Sequence, residues 1–312
     1  MTYYENCNVV VIGSGPAGLT SCIYLSRARL DPILLAGVNW GGQLMRTSII
    51  ENYPGFPNGI DGPSLIKNML DQAINFGTKV YYENAKSISM LNENLFEVYT
   101  ENTKFISRSV LIATGAEPKT LDVPGEKEFW GKGVSTCATC DGALFKNKYV
   151  VVVGGGDSAM EEALFLSKFA TKVTIIHRRE IFKASMIMQE KVNSNAKIEK
   201  IMNSEILEIV GKNKVEGVKI KNKNNNEIAY LACDGVFLAI GHKPITSFLN
   251  GIVETTEEGY ILSHNNVFTS REGIFVAGDV EDNKYRQAIT AAGNGCKAAL
   301  EIEKWLRMKY NI

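Results

Sequence analysis

The sequence predicts an α/β fold built from two Rossmann-like dinucleotide-binding domains. Three observations carry that expectation. The 312 residues exceed the roughly 250–300 at which single hydrophobic cores stop growing, so two cores are expected. An apolar run, a glycine-rich turn and a helix-like stretch follow one another twice, over residues 9–18 and 150–159. Two further runs are alike, Val110-Leu111-Ile112-Ala113-Thr114-Gly115 and Val236-Phe237-Leu238-Ala239-Ile240-Gly241, each closing a segment that one glycine-rich turn opened. The chain reads as an internal duplication.

The first unit opens with the strand Val9-Val10-Val11-Ile12, then Gly13-Ser14-Gly15-Pro16-Ala17-Gly18, then a helix carrying Leu19, Ile23 and Leu25. In such a fingerprint the first glycine permits a tight turn, the second lets backbone approach a pyrophosphate, and the third lets helix pack on strand. The helix N-terminus then faces the phosphate charge. The second copy runs Val150-Val151-Val152-Val153, then Gly154-Gly155-Gly156-Asp157-Ser158-Ala159, with Ala159 in the third glycine's place and a helix carrying Ala163, Leu164 and Leu166. Two dinucleotides are implied. Residues 80–110 and 198–235 alternate short strand-like runs with polar turns, and 221–227 is a solvated hairpin tip without chemistry.

Neither copy places an acid about 20 residues on for a ribose, as NAD-binding folds do. After Ile33-Leu34-Leu35 comes Ala36, and after Val173-Thr174-Ile175-Ile176 come His177, Arg178 and Arg179, with Lys183 nearby. Adjacent arginines at the nucleotide end of a strand suit a 2′-phosphate, because a guanidinium is planar, permanently charged and capable of bidentate pairing. The second site is therefore expected to take NADPH; the plain alternative is a pair of solvated surface charges.

The C-terminal part suggests the other nucleotide. Gly273-Ile274-Phe275-Val276-Ala277-Gly278-Asp279 reads as a strand ending in a carboxylate able to accept hydrogen bonds from a polyol. Arg286-Gln287-Ala288 then opens a helix running through Ala292, Cys296, Ala299 and Trp305, whose N-terminal dipole stabilises negative charge developing on a bound ring system. A flavin requires such a site; a strand and helix joined by a capping Asp is the alternative.

Charge and cysteine usage narrow the class. Thirty-four basic and 34 acidic side chains give zero formal net charge, which argues against a polyanion-binding surface and against nucleic acid. The opening residues have no basic n-region and the first apolar run is too short for a membrane span, so a soluble, cytoplasmic protein is expected. Of six cysteines, Cys137 and Cys140 form a Cys-x-x-Cys followed at once by Asp141, which reads as a dithiol/disulfide redox centre. Too few residues separate Gly115 from Gly154 to enclose the βαβ redox domain in which such a pair is usually sought. Cys7, Cys22, Cys233 and Cys296 read as small buried hydrophobes. A zinc half-site is disfavoured because four ligands are needed and His177, His242 and His264 are the only histidines, so no metal is expected.

These motifs, in their order, resemble the low-molecular-weight bacterial-type thioredoxin reductases over nearly the full length. Beyond those quoted, the resemblance rests on Gly41-Gly42-Gln43-Leu44, Glu51-Asn52-Tyr53-Pro54-Gly55 and Gly278-Asp279 with Tyr285-Arg286-Gln287-Ala288. It implies the pyridine nucleotide-disulfide oxidoreductase type of fold. Residues 1–115 and 245–312 are then a discontinuous FAD domain and residues 116–244 an inserted NADPH domain bearing the redox pair, in a homodimer. FAD contacts are implied for the first fingerprint, Ala36, Gly42, Gln43, Leu44, Asn52, Ala113, Thr114, Gly115, Gly278, Asp279, Arg286, Gln287 and Ala288. NADPH contacts are implied for Gly154, Gly156, Asp157, Ser158, Ala159, His177, Arg178, Arg179 and Lys183. Cys137 would exchange with the thioredoxin disulfide, Cys140 would face the flavin, and Asp141 would serve as acid/base. The family usually has Arg where this chain has Lys183, which keeps the charge but loses the fork.

The expected path is NADPH to FAD, FAD to the Cys137–Cys140 disulfide, then thiol exchange with thioredoxin. Nicotinamide, dithiol and protein substrate cannot all dock together, so a hinge is expected at residues 115–118 and 241–244. Two enzyme alternatives are a reductase serving a peroxiredoxin system and a ferredoxin-linked relative. A nucleotide-sensing protein without turnover is a third, and it predicts no NADPH oxidation coupled to a disulfide acceptor.

Overall fold

Valine-rich runs that do not alternate with polar residues require burial on both faces. The computed structural model describes residues 3–47, 49–93, 95–265 and 267–312, and in it such runs form the centres of two parallel sheets. Each sheet belongs to one of two compact units. Residues up to Glu117 join Lys243–Ile312 in unit 1, and Pro118–His242 form unit 2.

Unit 1 begins with β1 (Tyr3–Ile12) and α1 (Pro16–Arg27), where Pro16 sits at the helix start and its missing N–H leaves no gap in the ladder. β2 (Ile33–Leu35), α2 (Gly62–Asn75), β3 (Lys79–Tyr81), β4 (Ser87–Asn92), β5 (Leu95–Tyr99) and β6 (Thr103–Ile112) come next. The parallel order is β3-β2-β1-β6, with β5 and β4 antiparallel beyond β6. Alternate residues feed two cores: Val9, Val11, Leu34 and Leu111 on the face that α1 and α2 cover, Val10, Ile12, Ile33, Leu35 and Ile112 on the other.

Unit 2 repeats the plan. It contains β7 (Val134–Ser135), α3 (Ala138–Asp141), β8 (Tyr149–Gly154), α4 (Asp157–Leu166), β9 (Lys172–Ile176), α5 (Met186–Asn193) and β10 (Ile198–Ile201). A three-stranded antiparallel meander, β11 (Ser204–Gly211), β12 (Val215–Asn222) and β13 (Ile228–Ala232), precedes β14 (Gly235–Ala239). The parallel order is β7-β14-β8-β9-β10, and Val150 and Val152 again serve one core while Val151 and Val153 serve the other. The 221–227 tip closes on an Asn222 N–H donated to the Glu227 carbonyl at 2.9 Å.

The chain returns to unit 1 with β15 (Ile274–Val276) and the 23-residue α6 (Ala288–Tyr310). β15 pairs with the C-terminal half of β6, whose N-terminal half is held by β5. α6 starts two residues later than the sequence suggests: Gln287 is its N-cap, in a reciprocal box with Thr290, and Arg286 before it has φ 47°. In unit 1 β1 lies between β2 and β6, and in unit 2 β8 lies between β9 and β14, and the direction of strand order reverses at β1 and at β8. A crevice at the carboxyl ends of the strands is the consequence.

Candidate active site

The first fingerprint is shaped by close packing on one side and clear space on the other. A Cβ on Gly13 would lie 2.3 Å from the Ala113 carbonyl oxygen, and one on Gly18 would lie 1.8 Å from the Gly13 carbonyl oxygen. A Cβ on Gly15 would meet nothing within 4 Å, so the middle glycine borders open space at the N-terminus of α1. Ser14 is buried and spends its hydroxyl on the loop itself, donating to the Ala36 carbonyl at 2.7 Å and accepting from the Gly41 N–H at 2.7 Å. Ala36 gives its own N–H to Tyr81. The short turn Gly42–Arg46 lies against this cradle, where a Cβ on Gly42 would lie 3.5 Å from the Gly15 Cα, and the Gln43 amide donates to the Ala116 carbonyl. Leu44 packs into the core, and the Thr114 hydroxyl donates to the Ile245 carbonyl at 2.7 Å.

The C-terminal segment completes the cradle. A Cβ on Gly295, in the N-terminal half of α6, would lie 2.1 Å from the Ala17 carbonyl oxygen, and one on Gly278 would lie 2.9 Å from the Ala17 Cβ. Small residues thus bring α6 and Gly278-Asp279 against the start of α1. Sequence reasoning passed over Gly295; a glycine inside an otherwise helical run was its signal. Asn52 donates to the Gln287 side chain at 3.3 Å, tying the 51–55 loop to the start of α6. Asp279 Oδ1 is shut off from solvent and has no hydrogen-bond partner among the described residues. Burial pushes the Asp279 carboxyl up to about 7, with Asp282 adding to the rise and Arg286 opposing it. A buried acceptor without a donor is costly unless a ligand supplies one. The residues present fit a dinucleotide with a polyol: open space for pyrophosphate at Gly15, an orphaned acceptor at Asp279, and the N-terminus of a long helix between them.

The second cradle has the same plan. A Cβ on Gly154 would lie 2.4 Å from the Ala239 carbonyl oxygen, the counterpart of Gly13 against Ala113, and one on Gly156 would meet nothing within 4 Å. Ala159 is fully buried, and Ser158 is exposed. His177 is buried with its ring under Gly155, where a Cβ would lie 2.3 Å away, and its Nε2 lies 3.2 Å from the Ile181 carbonyl. Burial lowers its pKa, so at neutral pH the ring supports the loop as a neutral body. Asp157 accepts the Ser185 N–H at 2.7 Å, and the Lys183 N–H donates to the Gly155 carbonyl at 2.8 Å, so the 177–185 loop is laced to the fingerprint. Arg178, Arg179 and Lys183 are exposed along that loop. The donor set suits a dinucleotide carrying an extra phosphate.

The dithiol sits on the same unit. Cys137 and Cys140 are bonded to each other with Cα atoms 5.3 Å apart, across the single turn of α3. Cys137 caps that turn, its sulfur accepting the Cys140 N–H at 3.2 Å. Gly142, just beyond, packs on α4 beside Phe165 and Leu166, which mounts the pair on the helix of the second fingerprint. Asp141 closes the α3 turn and precedes the short turn Gly142–Phe145, to which its side chain gives no capping hydrogen bond. Burial raises its pKa, and a hydrogen bond from Ser135 opposes the rise. Of the other cysteines, Cys22 and Cys233 are buried, whereas Cys7 and Cys296 are only partly so.

Comparison with known proteins agrees with this construction. A family model described as pyridine nucleotide-disulphide oxidoreductase matches residues 7–295. The thioredoxin reductase of Rickettsia conorii is 49% identical over 303 residues, spanning 96% of this chain and 97% of the relative. The bifunctional thioredoxin reductase/thioredoxin of Mycobacterium leprae is 46% identical over 299 residues, and there the match spans 96% of this chain but 65% of the relative. A solved structure, thioredoxin reductase from Giardia duodenalis, superposes with a TM-score of 0.92 at 44% identity, covering 97% of this chain and all of that one. Two dinucleotide cradles, a bonded Cys-x-x-Cys on the second and these likenesses lead to one conclusion: the chain belongs to the pyridine nucleotide-disulphide oxidoreductases and, within them, to the low-molecular-weight bacterial-type thioredoxin reductases.

Proposed function

We propose that the chain reduces the disulfide of thioredoxin with electrons from NADPH, using FAD and the Cys137–Cys140 pair. The observation that carries this is the bonded pair mounted on the helix of one of two dinucleotide cradles. A flavin supplies the chemistry no side chain has, taking two electrons from a hydride donor and giving them to a disulfide. In unit 1, the fingerprint from Gly13 to Gly18, the 42–44 turn, Asn52, Asp279 and the start of α6 would hold FAD, with Asp279 accepting from a ribityl hydroxyl. In unit 2, Gly156 leaves room for the pyrophosphate of NADPH while Arg178, Arg179 and Lys183 pair with its 2′-phosphate. The crossings at residues 115–118 and 241–244 are the place for a hinge that lets each partner reach the flavin in turn.

Two electrons and two protons convert the Cys137–Cys140 disulfide to two thiols. NADPH supplies the two electrons, and its hydride together with one proton from solvent makes up the two protons. The Cys137 thiolate attacks the thioredoxin disulfide, forming one mixed S–S bond as the old one breaks. Cys140, deprotonated, then attacks Cys137, closing the enzyme disulfide and expelling the second thioredoxin sulfur, and both protons end on thioredoxin. Asp141 carries a proton to or from these sulfurs. Its raised pKa lets it hold that proton nearer to neutral pH than an ordinary aspartate.

Among the described residues no helix is long and apolar enough to cross a membrane. A cytoplasmic homodimer accompanies the family reading. The decisive measurement is optical: purified protein should show a flavin spectrum, bleach with NADPH and recover with oxidised thioredoxin. A protein that bleaches but recovers only with air defeats the thioredoxin assignment.

A further inference from the structure

The acid that a dinucleotide fold places at the end of its second strand is missing from the first cradle, where Ala36 follows β2. A side chain from the neighbouring strand stands beside that position. β3 pairs with the outer edge of β2, and the residues that follow β3 run against the loop that follows β2. Three contacts join the two segments. The Ala36 N–H donates to the Tyr81 carbonyl at 2.8 Å, the Val38 N–H donates to Asn84 Oδ1 at 3.1 Å, and the Trp40 and Tyr82 rings meet edge to face with centroids 6.3 Å apart. Ser14 holds the same loop from the other side, through the Ala36 carbonyl and the Gly41 N–H. Gly37 between them has φ 82°, and a Cβ there would lie 3.0 Å from Asn84 Oδ1, so the loop backbone passes directly against the Asn84 side chain. A backbone N–H can only donate, which fixes the amide with its oxygen on the loop.

We infer that Asn84 is a positioning residue for the adenosine half of FAD, replacing the missing acid indirectly by fixing the Gly37–Val38 backbone where the ribose lies. The inference rests on the FAD reading of unit 1. With pyrophosphate on the open side of Gly15, the adenosine of such a fold extends across the end of β2, and its ribose meets the residue in the place of Ala36. Ala36 has nothing to give it: the methyl is buried, the carbonyl accepts from Ser14 and the N–H is taken by Tyr81. What is left to meet the ribose is the loop backbone from Gly37 onward, and Asn84 is the side chain that holds it.

The test compares two flavins. FMN shares the ring, the ribityl chain and one phosphate with FAD but lacks the adenosine, so a group that serves only the adenosine half changes one affinity and not the other. Flavin-stripped full-length protein is titrated with FAD and with FMN, followed by quenching of flavin fluorescence. Asn84→Ala should raise the FAD dissociation constant about 3–10-fold, the worth of one hydrogen bond, and leave that for FMN unchanged. Asn84→Asp, which keeps an acceptor for the Val38 N–H, should restore FAD binding to the parent level. Equal weakening of both flavins by Asn84→Ala, or no change in either, overturns the role of Asn84 and leaves the FAD reading standing. An Asn84→Asp protein as weak as Asn84→Ala overturns positioning through the Val38 amide. A parent protein that binds neither flavin, or both equally, overturns the FAD reading and the Asn84 role with it.

Discussion

Replacing Asp279 with Asn should stabilise the flavin-free protein at alkaline pH while weakening its hold on flavin. The carboxyl rises from 3.8 to about 7 because the fold buries it with no donor on Oδ1 among the described residues. The folded state therefore binds this proton more tightly than the unfolded state does. Between those two values unfolding releases a proton, so stability falls as pH rises; the penalty is complete above about 7 and absent below about 4. Roughly three units at 1.36 kcal/mol each amount to about 4 kcal/mol. The interior responds to the new charge with an effective dielectric well above that of dry protein, which removes part of this and leaves an expected penalty of about 2 kcal/mol at pH 8. Asn cannot ionise and escapes it. Urea denaturation of the flavin-free parent and Asp279→Asn at pH 4, 6 and 8 reads the difference directly, and a gain that is absent at pH 8, or equal at all three values, refutes the account. The same variant should bind FAD about 10–100-fold more weakly, the worth of a hydrogen bond to a charged acceptor.

The sites lead to three further outcomes. Arg178→Ala combined with Arg179→Ala should lower kcat/KM for NADPH about 10–100-fold and leave that for NADH nearly unchanged; an undiminished preference for NADPH sinks the 2′-phosphate assignment. Cys137→Ser should retain bleaching of the flavin by NADPH yet lose thioredoxin turnover, and retained turnover would reverse the division of labour between the sulfurs. Gly295→Ala should destabilise unit 1 by about 1–3 kcal/mol and release flavin, because the new Cβ would lie 2.1 Å from the Ala17 carbonyl oxygen; unaltered flavin content and thermal midpoint would mean α6 shifts freely.

The strands most legible in the sequence are those buried on both faces. Val9 to Ile12 and Val150 to Val153 need no alternation to declare themselves, and the glycine-rich turns at their ends all but dictate a helix as the next element. β1 nonetheless begins at Tyr3, because Tyr3 to Cys7 pair in register with Thr103 to Ser107 of the neighbouring β6, a partner invisible from local composition. His177 shows a second limit. Its place in the basic motif suggests a phosphate contact, whereas the fold tucks the ring beneath Gly155, where it shapes the loop from below.

The close approach of Gly295 to Ala17 sets an order of assembly during synthesis. Unit 2 is one uninterrupted stretch, and every strand of its sheet has been made once residue 239 has been added. The sheet of unit 1 waits for residues 274–276, and its cradle lacks a wall until Gly295 can settle on α1. Domains usually complete themselves from the N-terminus as the ribosome delivers them. Here the first fingerprint to be translated is the last to be closed, so a chain cut short between residue 242 and α6 carries a finished second cradle and an unfinished first one.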